Sequence, residues 1–173
     1  MRRIHEHPLR ILLSLLLLAM LAVQPATGDD ALDIVYSSDG GGSIETIDGI
    51  RVTTLRGNVH IRQGNSRLWG DEATLEQDPV SGEMIRARVR GFPARFEYQS
   101  DEDAELIEGH SERIDYFTAA QNGEVHTIIE FSGDASFNRG RTALQCAEIR
   151  HTLETGATSS PGPCSGVLAP QDQ

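Results

Sequence analysis

The chain has 173 residues, 15 basic and 26 acidic, for a formal charge of −11 with 38% hydrophobic residues. That length suits one domain with a packed core. The acidic excess argues against nucleic acid as a partner, and because every basic residue is Arg rather than Lys we read no chemistry from that choice.

Arg2, Arg3 and Arg10 precede an apolar run from Ile11 to Val23, and Ala26 and Gly28 stand at −3 and −1 for a cut before Asp29. This pattern predicts a Sec-type signal peptide over residues 1–28 and an exported chain from 29 onward. The run of 13 residues is shorter than the ~20 of a membrane span, which makes a retained anchor the lesser alternative. No Cys follows it to carry a lipid. Without the leader the charge becomes −13, since three Arg and Glu6 leave with it.

From Ala31 to Tyr36 an alternating run can start a sheet, and Ser43 to Thr54 reads as two short strands around Asp48-Gly49, a type I′ hairpin signal. Leu55, Gly57, Val59 and Ile61 then alternate with polar residues, as in a strand buried on one face. Gln63-Gly64-Asn65 predicts a turn. The next strand carries Ser66, Leu68 and Gly70 on one parity and Ala73 and Leu75 on the other, a switch that a bulge at Gly70-Asp71 would absorb. Pro79, Ser81 and Gly82 end this strand. Ile85, Ala87 and Val89 are expected to face inward and Arg86, Arg88 and Arg90 outward. A phosphate site on the arginine row is the sharper reading, and a solvated outer face the one adopted. Ser100 to Glu105 reads as an acidic loop, Gln121-Asn122-Gly123 as a hairpin turn, and Gly/Pro/Ser-rich residues 156–173 as a tail without regular structure.

The unit 55–77 returns at 131–153. A slide of 76 positions puts Gly57 on Gly133, Gly64 on Gly140, Leu68 on Leu144 and Glu72 on Glu148. A looser copy lies between, with Gly91, Ala94 and Phe96 answering Gly57, Val59 and Ile61, and Gly109 with Ile114 answering Gly70 with Leu75. A single hairpin cannot bury its own apolar face, so such repetition predicts stacked antiparallel strand pairs around one interior. Cys146 and Cys164 both lie in the exported part, where two thiols favour a disulfide.

No catalytic constellation is present. His60, His110, His126 and His151 are scattered without metal-ligand spacing, and no nucleophile elbow, phosphate loop or dinucleotide fingerprint occurs. His60 and Glu72 could be brought near each other, but an outward strand histidine is more often simply solvated. The expectation is a non-enzyme with no catalytic residue, no metal and no cofactor.

Gly57-Asn58-Val59-x-Ile61-x-Gln63-Gly64, the following L-x-G-D-E-A, Ile85-x-Ala87, Gly91-x-Pro93-Ala94-x-Phe96, Glu108-Gly109-His110 and Ile114-x-Tyr116 resemble the organic-solvent-tolerance/LptA family of periplasmic lipopolysaccharide-transport proteins. The resemblance spans about Ser43 to Leu153. It implies an all-β fold: a twisted, incompletely closed β-jellyroll of repeated antiparallel strand pairs in one domain, residues 29–155. It implies a periplasmic protein that shields lipid A acyl chains in an apolar groove and bridges inner and outer membranes for lipopolysaccharide export. The candidate groove is Val59, Ile61, Leu68, Leu75, Ile85, Val89, Phe96, Ile114, Tyr116, Phe131 and Phe137. The implied partners are lipopolysaccharide, the inner-membrane exporter's anchored jellyroll protein, the outer-membrane translocon and further copies arranged head to tail. Two alternatives stand beside it: a membrane-anchored paralogue of the same fold, and a ligand-free structural β-repeat.

Overall fold

The computed structural model describes residues 33–100, 105–121 and 123–168, so the predicted leader, Asn122 and the end of the tail lie outside the described residues. Among the described residues ten strands follow one another: β1 (Ile34–Ser37), β2 (Gly42–Ile47), β3 (Ile50–Gln63), β4 (Ser66–Gln77), β5 (Met84–Gln99), β6 (Leu106–Gln121), β7 (Glu124–Arg139), β8 (Thr142–Thr152), β9 (Thr158–Ser159) and β10 (Cys164–Val167). They form one antiparallel sheet in which β3 to β8 run as a meander. β1 and β2 share the free edge of β3, while β9 and β10 share that of β8.

The turns form where Gly and Asp supply left-handed backbone. Asp48 and Gly49 have φ of 51° and 79°, the arrangement a type I′ hairpin requires. Beyond that hairpin the chain does not stop at Thr54 as expected. β3 continues to Gln63, through a kink at Gly57-Asn58.

Such a kink recurs at one level in β3 to β7, five of the six long strands. Register breaks fall between Arg56 and Val59, Trp69 and Glu72, Arg90 and Ala94, His110 and Arg113, and Ser132 and Ala135. Gly57-Asn58 and Gly133-Asp134 make the same move 76 residues apart, with φ of 75° and 44° in one pair and 82° and 46° in the other. Aligned bulges bend neighbouring strands together, so the sheet doubles over along this line. The first layer carries residues 50–56, 72–77, 84–90, 113–121, 124–132 and 148–152; the second carries the remainder of the six long strands.

The predicted bulge at Gly70-Asp71 is present, but its middle counterpart is Ser111-Glu112, not Gly109. Val59 pairs with Gly70 and Ala94 with Ser111, whereas Gly109 pairs with Phe96. The reason for Gly109 is packing against the opposite layer, described below. The tail also departs from expectation. Edge pairing and the Cys146–Cys164 disulfide draw it into β9 and β10, despite a composition that favours no regular structure.

Candidate functional site

Inward side chains of both layers meet in one apolar cluster. Val59, Ile61, Leu68, Leu75, Val89, Phe96, Ile114, Phe131 and Phe137 are all buried in it, and Tyr116 packs at its border. Ile85 does not join them. Gln77 pairs with Met84 while Glu76 pairs with Arg86, so Ile85 is the extra residue of a bulge and turns outward, 37% exposed. Met84 takes the inward place, which simple alternation from Ala87 backward could not foresee. Leu55 and Ala73, on the inward parity in the sequence but outside the candidate groove, are buried as well, and Ile107, Ile129 and Ile149 are buried residues that the sequence analysis did not single out. Each lies on the inward parity of its strand, so extending the alternation through the bulges would have found them.

Five rings close the two layers on each other, and they come from alternate layers. Tyr116 (first layer) lies 6.4 Å from Phe96 (second), Phe96 6.1 Å from Phe131 (first), Phe131 6.3 Å from Phe137 (second), and Phe137 4.8 Å from His151 (first). These separations suit edge-to-face and tilted packing, each worth about 0.5–1.5 kcal/mol beyond area burial. The interior is therefore filled at this level.

Beyond Tyr116 it opens. A cavity of ≈ 1000 Å³ lies between the layer tips, with Met84, Tyr98, Ile107, Tyr116 and Leu153 supplying apolar surface. Glu83, Glu105, Arg139 and Glu154 add charge to the lining. Arg139 Nε donates to Glu105 at 2.5 Å, and the Thr127 amide donates to both carboxylate oxygens of Glu154 at 2.8 and 2.9 Å. Burial pushes the pKa of the Tyr116 hydroxyl above the ordinary tyrosine value, with Ser66 of the facing layer acting against that rise.

His151, which the sequence left among scattered histidines, is fully buried at the end of the ring series. Its Nδ1 lies 2.8 Å from the Thr158 hydroxyl, and its Nε2 has no hydrogen-bond partner among the described residues. Burial, reinforced by the Arg139 charge, lowers its pKa from 6.5 to about 4, which keeps the ring neutral.

The outer face is charged but organised. Asp115, 3% exposed, accepts from Arg88 at 2.9 Å and Arg86 at 3.2 Å and pairs with Arg113 Nε at 3.0 Å. Two arginines of the 86/88/90 row thus converge on a buried carboxylate, and the third, Arg90, is exposed. Arg86 also covers Phe117 at 4.5 Å, and Arg150 pairs with Glu130. His60 and Glu72 are not brought together: His60 contacts Asn58 and Trp69, and Glu72 faces Arg56.

Doubled antiparallel sheet, apolar interior and a mouth between the layers define an incompletely closed β-jellyroll. Residues 43–157 match the family described as LptA/(LptD N-terminal domain) LPS transport protein. The chain belongs to this family, whose members are transport proteins rather than enzymes. Among solved structures it is similar to LptH, described as the LptA homologous periplasmic component of the conserved lipopolysaccharide transport device from Pseudomonas aeruginosa. The TM-score is 0.66 at 20% identity, over 82% of this chain and 99% of that one. A search of curated protein sequences matches none.

Proposed function

We propose that this chain is a periplasmic lipopolysaccharide-binding transport protein that holds lipid A acyl chains between its two layers. The observation that carries this reading is the apolar interior opening into a ≈ 1000 Å³ cavity in a member of a lipopolysaccharide-transport family. Acyl chains enter at Met84, Tyr98 and Tyr116 and reach the predicted groove residues as the layers part along the ring series. Each methylene taken from water contributes ~0.8 kcal/mol, so affinity needs no reactive group. The charged rim of Arg139 and the three glutamates stays with the hydrated saccharide. In this reading the chain is cleaved after Gly28 and bridges inner and outer membranes, with the exporter's anchored jellyroll on one side and the translocon on the other. Copies join head to tail between them.

The test is native mass spectrometry of residues 29–173 purified from a lipopolysaccharide-producing host, with lipid extraction in parallel. Stoichiometric lipid A-bearing ligand, lost in Phe137→Glu and Ile61→Glu while far-ultraviolet circular dichroism is kept, supports the groove. A folded, lipid-free protein moves the assignment to a ligand-free structural β-repeat, which the filled Phe96–Phe131–Phe137 interior favours. Intact mass of the exported protein separates the cleaved form from an anchored paralogue.

A further inference from the structure

The two edges of the sheet are finished differently. On the β3 edge, β1 and β2 lie in two pieces, one on each side of the fold line, with no further strand outside them among the described residues. Every residue of β2 is exposed, including Ile44 at 63% and Ile47 at 50%. Unpaired N–H and C=O groups beside exposed apolar side chains are a template for another strand.

On the β8 edge the chain fills the corresponding place itself, again in two pieces. β9 pairs Thr158 and Ser159 with His151 and Arg150, and β10 pairs Cys164 to Val167 with Cys146 to Ala143. Cys164 and Cys146 are direct cross-strand partners and are joined by the disulfide. Gly166 lets the backbones close, because a Cβ there would stand 2.2 Å from the Ala143 carbonyl oxygen.

Little else holds β10 in place. Its four residues are all exposed, and Val167 and Leu168 leave their side chains in solvent. The preceding Gly/Pro/Ser-rich stretch has a composition that orders poorly without a tether.

We propose that β10 is a covalently tethered plug on a strand-addition site, and that the β8 edge receives the β1–β2 edge of a second copy once the Cys146–Cys164 bond is opened. A second copy fits because its open edge has the same two-piece outline as the segment it replaces and carries the exposed apolar residues Val35, Ile44 and Ile47. The inference rests on the reading of the chain as one unit of a multi-copy bridge. Opening is thiol–disulfide exchange with a dithiol reductant. Its thiolate attacks Sγ of the exposed Cys164, the Cys146–Cys164 bond breaks, and Cys146 leaves as thiolate. The reductant's second sulfur then displaces Cys164; the reductant departs as a disulfide, and its two protons go to the freed thiols.

Sedimentation velocity on residues 29–173 tests this with the bond intact, after dithiothreitol, and in the Cys146→Ser/Cys164→Ser double variant. The oxidised protein should sediment as a monomer. Reduced and double-variant proteins, folded by circular dichroism, should associate at concentrations at least about tenfold lower, since the tether no longer supplies a local competitor. Adding Ile44→Lys/Ile47→Lys to the double variant should abolish that association. Hydrogen exchange should show amides 143–146 deprotected in dilute reduced protein and protected again in the assembly. Identical sedimentation of oxidised and reduced folded protein overturns the plug, as does association that ignores the β2 lysines. Lipid A binding measured on the oxidised monomer is independent of these outcomes, so a failed groove and a failed plug are told apart.

Discussion

The ring of Phe131 occupies the place where a side chain at Gly109 would begin: a Cβ there would stand 2.4 Å from Cε1. Phe131 belongs to the first layer and Gly109 to the second, so this contact sets how closely the sheet doubles over. Gly109→Ala should push Phe131 off its place and destabilise the protein by about 1–3 kcal/mol in urea unfolding, the usual cost of overpacking. Gly41→Ala is the control. Nothing lies within 4 Å of a Cβ there, and its change should be near zero.

Asp115 is the buried anchor of the outer face, holding Arg86, Arg88 and Arg113. The arginines are partly exposed and can rehydrate, so the loss is that of charge-assisted hydrogen bonds rather than of stranded cations. Asp115→Ala should cost about 2–3 kcal/mol by chemical denaturation. A double-mutant cycle with Arg88→Ala should show coupling; additive losses would mean the contact contributes nothing of its own.

His151 predicts a pH dependence of definite sign. Its folded pKa of about 4 lies below the unfolded 6.5, so between these values the unfolded state binds the extra proton. Its contribution is therefore fully present above pH 6.5 and is lost as pH falls toward 4, by up to about 3 kcal/mol. His151→Phe should flatten stability across pH 4–6.5 in urea titrations. An unchanged slope would assign that window to other groups.

The Cys146–Cys164 link closes a separation of 18 residues. By chain entropy its removal should cost about 3 kcal/mol, mostly by freeing the unfolded chain. The double serine variant, unfolded in urea below its association concentration, measures this apart from any assembly. A loss well under 1 kcal/mol would mean that the loop costs little to close even when reduced.

Much of the architecture was readable along the chain. Period-2 alternation placed β3, β4 and β5, the internal repeat placed their later counterparts, Asp48-Gly49 and Gly64-Asn65 marked turns, and glycines recurring 76 residues apart fell at equivalent bends, Gly57 and Gly133. These are local signals: a glycine in the left-handed region or a parity switch acts within a few residues, and its cause is written in those residues. The errors arose where a local signal had a distant cause. Gly109 resembled a bulge glycine but is small because of Phe131, and the break in alternation at Ile85 comes from pairing with β4.

By itself, then, the amino-acid order determined strands, turns, bends and which face of each strand is apolar, because each is a property of adjacent residues. Only the tertiary structure decided that the bends align, that five rings from alternate layers interleave, that Asp115 gathers three arginines and that β10 covers the β8 edge. Those outcomes depend on which strands become neighbours and how far the sheet folds over. They join residues tens of positions apart, where no periodicity along the chain can register them.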